Sequence, residues 1–266
     1  MPRQDKVAKR KAKMKASTKL ARTQEHDLNL EMKKWTAERR VLTPTRPLAH
    51  VLLELDAMLL DRTGRLKVLP AIAYDQIDHV DLMVWCNQRG IYGLPTDETI
   101  AWLREFIGDR SAIELGSGNG AFGRALGVPR TDSCIQDDPE VKMSYILQGQ
   151  PTVPYGDDVE KLEGLEALAK YNPQVAFGSW LTNWVDPNKP FIAGAGSVFG
   201  FKEDAILAHP GLEAYIVIGN EEVHRNKPLM RLPHETLKAP WIRSRSKRPD
   251  LNAIFIWPGS NPNNPA

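Results

Sequence analysis

The stretch Ser111-Ala112-Ile113-Glu114-Leu115-Gly116-Ser117-Gly118-Asn119-Gly120 decides how this chain folds. Ser111 to Leu115 is short, apolar and closed by glycines, the pattern of a buried parallel strand. Ala121 to Leu126 then predicts a helix. Glycines at alternate positions 116, 118 and 120 let the backbone turn tightly and approach a ligand with no Cβ in the way. The loop amides and the helix N-terminus beyond them face whatever binds there. A strand, a glycine turn and a helix in this order imply an α/β, Rossmann-like fold. Its sheet is expected to be mostly parallel and flanked by helices, with a helical N-terminal extension.

Read together, Ile113 to Gly120 resembles motif I of the class I S-adenosylmethionine-dependent methyltransferases, over a region of about 111–259. The arrangement is also similar to methyltransferase-like proteins of phages and mobile elements. The resemblance implies S-adenosylmethionine as cofactor. Glu114 would order the loop and the methionyl end, and Gly116, Ser117, Gly118, Asn119 and Gly120 would pass under the sugar and methionine. Two other readings compete. Gly116-x-Gly118-x-x-Ala121 satisfies the relaxed dinucleotide fingerprint, and a glycine-rich turn occurs in other α/β proteins. An acid two residues before the first glycine, with a third glycine at 120, favours the methyltransferase pattern.

Such a site needs a carboxylate after the second strand to take both ribose hydroxyls. Asp137 has the usual family spacing, whereas a short first helix followed by a strand over Val128–Thr131 selects Asp132. Asp158 stands where the family places an adenine contact, but Asp157 with Glu160 also reads as the cap of a helix carrying Val159, Leu162, Leu165 and Leu168, which needs no ligand. After a strand at Val175–Phe177, Ser179 and Trp180 occupy the family's substrate-facing position. Neither a Pro-Pro-aromatic nor a Pro-Cys motif follows, so the methyl acceptor stays open. Trp180 and Trp184 either stack on a flat base or pack in a core. Further strands are expected at Ala214–Gly219 and Ala253–Trp257. Between them, His224 beside Glu221 is a candidate general base or a surface histidine. His209, His224 and His234 lack zinc-ligand spacing, and no metal is expected.

Upstream, residues 46–110 read as a helical lead-in. Helices are expected over Leu48–Leu60 and Ile77–Trp85, and another starts at a cap on Thr96 or Asp97 and stops at Gly108. Residues 1–45 form a basic arm with Leu28, Met32 and Trp35 at helical spacing. Nine cationic side chains against Asp5 give the first 22 residues about +8, so the remainder of a chain with net charge +2 carries about −6. Lys9, Arg10, Lys11, Lys13 and Lys15, joined by Arg243 and Arg245 in a second basic run, are candidate nucleic-acid contacts. A solubilising tail and a solvated loop are the alternatives. The two cysteines are too few for a disulfide framework, and no apolar run reaches membrane-span length. A soluble cytoplasmic protein is expected, with residues 260–266 as a disordered tail. The leading function is methyl transfer to an unspecified acceptor. The alternatives are a non-catalytic methyltransferase-like module in a nucleic-acid or protein assembly and, behind it, a nicotinamide-dinucleotide binder.

Overall fold

Helix α1, Leu48–Leu59, buries Val51, Leu55 and Leu59, which recur every four residues on one face. In the computed structural model, which describes residues 43–147, 150–188 and 196–260, α1 opens the compact unit that holds all of these residues. After α1 the carboxylate of Asp61 accepts from the N–H groups of Thr63 and Arg65 at 2.8 and 3.0 Å and closes a tight turn. A one-turn helix, α2 (Ala71–Tyr74), leads to α3, His79–Arg89. Asp78 caps α3 by accepting from Val80 and Asp81, and Gly90 ends it in the left-handed conformation. The helix expected over Ile77–Trp85 therefore starts two residues later and runs on to Arg89. Asp56 ties α1 to α3 by accepting from Trp85 Nε1 and Arg89 Nε, each at 2.9 Å. A short strand, β1 (Gly93–Leu94), follows, and then α4, Asp97–Ile107, whose cap is Thr96.

The sheet begins with β2, Ala112–Leu115. Helix α5, Ala121–Leu126, ends at Gly127 with the paired closing bonds Val128 N–H to Gly123 O and Gly127 N–H to Arg124 O. That closure uses the Val128 amide, which a strand over Val128–Thr131 would need, and Pro129 has none to offer, so β3 forms later, at Arg130–Asp132. Next come α6 (Pro139–Leu147), β4 (Glu160–Lys161), α7 (Gly164–Tyr171) and β5 (Val175–Ser179). The helix expected from Val159 is corrected. Glu160 and Lys161 join the sheet edge beside β3, Leu162 donates to Asp132 O, and the helix starts only at Gly164. The remaining elements are α8 (Glu203–Leu207), β6 (Ala214–Asn220), α9 (Glu221–His224), β7 (Glu235–Leu237), β8 (Arg243–Ser244) and β9 (Asn252–Pro258).

Seven strands pair in the order β4-β3-β2-β5-β6-β9-β7, with β4 through β6 parallel and β9 antiparallel to both neighbours. This is a Rossmann-like, mostly parallel sheet. It departs from the dinucleotide-binding order, in which the sixth position is taken by another parallel strand. Alternation along the strands divides the core into two layers. Ile113, Leu115, Ala176, Tyr215 and Val217 face the side that includes Leu168 and Ile206. Val175, Phe177, Ile216 and Ile218 face Ile100, Leu103, Ile107 and Phe122. Within the first layer, Lys227 Nζ and Tyr215 Oη both donate to buried Glu203, at 2.8 and 3.0 Å. Among the described residues no helix is long and apolar enough to cross a membrane.

Candidate functional site

The glycine loop leaves β2 where β3 and β5 diverge to its two sides, the switch point at which open α/β sheets bind ligands. Gly116, Gly118 and Gly120 have φ of 58°, 53° and 69°, a conformation other residues adopt only at a cost. Two acids from adjacent strands fix the loop. Glu114, buried at the end of β2, accepts from Gly123 N–H at 2.8 Å and so holds the first turn of α5. Burial pushes its carboxyl up to about 8, against the opposing pull of that hydrogen bond. Asp132, the last residue of β3, accepts from Gly118 N–H at 3.0 Å with one oxygen and from Cys134 N–H at 2.9 Å with the other. Burial raises its pKa, while these two bonds oppose the rise. Asn119 closes the turn into α5 by accepting from Ala121 N–H at 3.0 Å, and Ser117 Oγ donates to the carbonyls of Glu114 and Thr131.

These groups form the floor of a cleft whose lining includes Glu114, Gly116, Ser117, Gly118, Asn119, Asp132, Ser179 and Trp180. The cleft joins the expected loop, the expected ribose carboxylate and the expected substrate-facing pair in one concavity. Its other walls were not legible in the sequence. Tyr92 and Gly93 reach it from the lead-in, while Ile135, Gln136, Tyr145, Val153 and Tyr155 come from the chain between β3 and β4. Gln136 holds that wall together, accepting from Val153 N–H at 2.8 Å and donating through Nε2 to Tyr145 Oη at 3.3 Å. The one local hint was the pair of glycines bracketing Ile91 and Tyr92. A Cβ on Gly90 would lie 2.3 Å from Thr152 O, and one on Gly93 would lie 2.2 Å from Ser179 Oγ. Among the described residues, no Lys, Arg or His lines the cleft.

Trp180 follows β5 in a left-handed conformation, φ 59°, held by its N–H donating to Ile218 O at 2.8 Å. Ser179 Oγ and Trp180 Nε1 are buried without a hydrogen-bond partner. Trp184 is 39% exposed and lies outside the cleft lining, with Lys202 over its ring. His224 does not reach the cleft and is corrected as a candidate base. It is 3% exposed, shares hydrogen bonds with the backbone of Asn220, and sits edge-on to Trp180 with ring centroids 5.6 Å apart. Burial, helped by nearby Lys227, lowers its pKa to about 3, so the ring is neutral and packs behind the indole. Glu221 lies outside the cleft too, paired with Lys238 at 2.7 Å.

Three further expectations change. Asp137 is exposed in a single 3-10 turn, Ile135–Asp137, and does not line the cleft, which leaves Asp132 as the carboxylate beside the loop. Asp158 faces Arg124 and Arg130 at 2.6 and 2.9 Å. Those guanidinium groups, chiefly Arg124, hold its carboxyl well below the usual carboxylate range, and it is removed from the cofactor set because it does not line the cleft. Arg243 and Arg245 are not on a solvated loop. Arg243 lies in β8, which pairs with β1, and its guanidinium meets Asp75. Arg245 stacks 3.5 Å over the Tyr92 ring and donates to Asn87 at 3.0 Å. Lys9, Arg10, Lys11, Lys13 and Lys15 lie outside the described residues, as does the tail beyond Ser260. Ser260 itself is anchored by donating to Leu207 O at 2.7 Å. Among the described residues no cluster of His, Cys, Asp and Glu has the makings of a metal site.

No protein-family model matches the sequence, and no curated protein matches it. Among solved structures the chain is similar to a protein described as a methyltransferase and complexed with SAH. The two share 9% identity and a TM-score of 0.32 over 60% of this chain and 48% of that one. A protein described as a SAM-dependent methyltransferase from Streptococcus mutans gives 8% identity and 0.29 over the same shares. The 23S rRNA methyltransferase ErmE gives 17% and 0.30 over 64% of this chain and 69% of its own. The chain thus aligns with about half the length of the first two. The fold assignment rests on the strand order and loop described above.

Proposed function

We propose that this chain binds S-adenosylmethionine in the cleft and directs its methyl group to an acceptor held beside Ser179 and Trp180. The observation that carries this reading is the polar make-up of the cleft: two carboxyl groups, Glu114 and Asp132, brace a left-handed glycine loop, and among the described residues no cationic side chain lines the walls. S-adenosylmethionine carries a sulfonium, an ammonium and a vicinal diol. A cation gains from nearby carboxylates, and a carboxylate is a two-oxygen acceptor suited to a diol. Each oxygen of Asp132 accepts from one backbone N–H and keeps a lone pair for a further donor. Glu114 accepts from Gly123 N–H, and a bound cation would favour its ionised form. A dinucleotide pyrophosphate would find two acids here instead of a base.

When bound, the cofactor supplies an already electrophilic methyl group, so the residues around it have to align a nucleophile and exclude water. The aromatic side chains of Tyr92, Trp180 and Phe122 on the cleft wall suit the second task. The test is calorimetric and thermal. S-adenosylmethionine or its demethylated product should bind and, at 100 times the dissociation constant, stabilise the protein by about 2.7 kcal/mol. Asp132→Asn should weaken that binding tenfold or more. A stability gain from NAD and none from S-adenosylmethionine would overturn the reading. Label transfer from the methyl-tritiated cofactor then separates an enzyme from a non-catalytic module of the same fold.

A further inference from the structure

The cleft encloses about 150 Å³, whereas sites for drug-sized ligands run to roughly 300–1,000 Å³. A molecule the size of S-adenosylmethionine therefore needs one wall to give, and the walls are unequally held. Glu114 and Asp132 fix the floor, and Trp180 is tied to β6 through Ile218 O. Ser197 and Phe201, which also line the cleft, are laced to the chain after β5. Phe201 N–H donates to Thr182 O at 2.7 Å, Trp184 N–H to Phe201 O at 2.6 Å and Ser197 N–H to Asn183 O at 2.8 Å. Residues 150–156, Gln-Pro-Thr-Val-Pro-Tyr-Gly, belong to no helix or strand. Pro151 and Pro154 have no N–H to donate, and each keeps the residue before it extended. The segment starts from a fixed point at the end of α6, where Gln150 N–H donates to Tyr145 O at 2.9 Å. It then lies across the glycine loop. Val153 Cγ1 is 2.8 Å from where a Cβ on Gly118 would be, and Gly156 N–H reaches Gly118 O at 3.2 Å. A ligand passing over Gly118 meets Val153.

We propose that residues 150–156 form a strap that lifts to admit S-adenosylmethionine and settles over it, and that Gln136 is the positioning residue that latches the strap. Gln136 fastens the middle of the segment twice. Its Oε1 accepts from Val153 N–H at 2.8 Å, and its own N–H donates to Tyr155 Oη at 3.2 Å. Its Nε2 donates to Tyr145 Oη at 3.3 Å, which fixes the direction of the amide. Hydrogen bonds of this kind contribute modestly when water can replace either partner, so a latch made of them opens without unfolding the sheet beneath. Gating of this sort sets how fast a ligand enters and leaves. The chemistry of the latch is specific to the side chain. A carboxylate at position 136 would keep the bond from Val153 and accept the phenol proton of Tyr145, since a tyrosine hydroxyl donates as well as accepts. A methionine of similar length would make neither bond. The identity of the ligand rests on the cofactor reading.

The test measures association and dissociation rates of S-adenosylhomocysteine on immobilised full-length protein by surface plasmon resonance. Gln136→Met should release the ligand about tenfold faster, with association unchanged or faster. A variant that merely unfolds in part would lose binding capacity and leave the dissociation rate of the remainder as it was. Gln136→Glu should bring dissociation back to within about threefold of wild type, because both bonds of the latch can be remade. Hydrogen exchange of the wild-type protein supplies a second readout that needs no variant: S-adenosylhomocysteine should slow exchange at Thr152, Val153, Tyr155 and Gly156. Dissociation unchanged in Gln136→Met, equally fast dissociation in the methionine and glutamate variants, or strap amides indifferent to the ligand would each overturn the strap while leaving the cofactor reading in place. A wild-type protein that binds no S-adenosylhomocysteine at all overturns both.

Discussion

Replacing Glu114 by Gln should change how the protein's stability depends on pH. Glu114 is buried with its carboxyl pushed up from 4.5 to about 8, chiefly by desolvation. Below pH 4.5 the folded and unfolded chains are both protonated at this position, and the stability tied to the proton is fully present. Between 4.5 and 8 the unfolded chain ionises while the folded chain keeps its proton, so stability is lost as pH rises. At 1.36 kcal/mol for each pH decade, the loss is about 3 kcal/mol by pH 7 and about 5 kcal/mol once the folded carboxyl has ionised, both as upper bounds. Glu114→Gln keeps a carbonyl for Gly123 N–H and cannot ionise, so its own curve lacks this slope. Urea unfolding of both proteins at pH 4.5, 5.5, 7 and 8.5 isolates the effect, since every other titrating group cancels in the difference. Wild type should lose ground to Glu114→Gln steadily across the series. Parallel curves, or a wild type that gains on the variant as pH rises, would show that Glu114 is held as a carboxylate and refute the reasoning.

Gly118→Val should both destabilise the protein, by about 1–3 kcal/mol from the left-handed backbone alone, and weaken S-adenosylhomocysteine binding. Its Cβ would lie 2.8 Å from Val153 Cγ1, so the room that Gly118 leaves is used by the protein as well as by a ligand; unchanged thermal unfolding would contradict this. Lys227→Met leaves Glu203 buried without its cation and should cost about 3–5 kcal/mol in denaturant unfolding. Adding Glu203→Gln, which keeps an acceptor for Tyr215, should recover much of it, and equal losses in the single and double variants would argue against a charge effect. Deleting residues 1–22 should flatten the salt dependence of nucleic-acid binding, each lost phosphate contact removing about 0.9 from the slope on duplex DNA. Identical slopes in a salt titration would remove nucleic acid as the partner of that segment.

The glycine loop was legible because its determinants are contiguous. Strand, left-handed glycines and the Asn119 turn all lie between Ala112 and Ala121. The choice between Asp132 and Asp137 turned on one further local fact, the closure of α5 at Gly127, which ends the helix early enough to bring Asp132 to the strand end. Where the sequence misled, the deciding partner was far away in the chain. Asp158 looks like a ligand contact until Arg124 and Arg130 arrive from 34 and 28 residues upstream. His224 reads as a candidate base or a surface histidine, yet it is buried, as are Asn220 and Lys227 beside it, the last against Glu203. Tyr92 and Arg245 become neighbours only because β1 pairs with β8, and two-residue strands leave almost no period-2 signal to detect.

The position of β9 has a consequence in time. β6 and β7 precede β9 in the chain, but β9 lies between them in the sheet, and β7 has no other strand partner there. As the polypeptide emerges from a ribosome, the seven buried residues of β6 must therefore wait with one edge unclothed until some 30 later residues have been made. An apolar edge left open for that interval invites pairing with another nascent chain. The slowest productive event in this protein's biogenesis should accordingly be the insertion of Asn252–Pro258. A chaperone that shields β6 during synthesis would raise the yield of folded protein without altering the stability of the finished molecule.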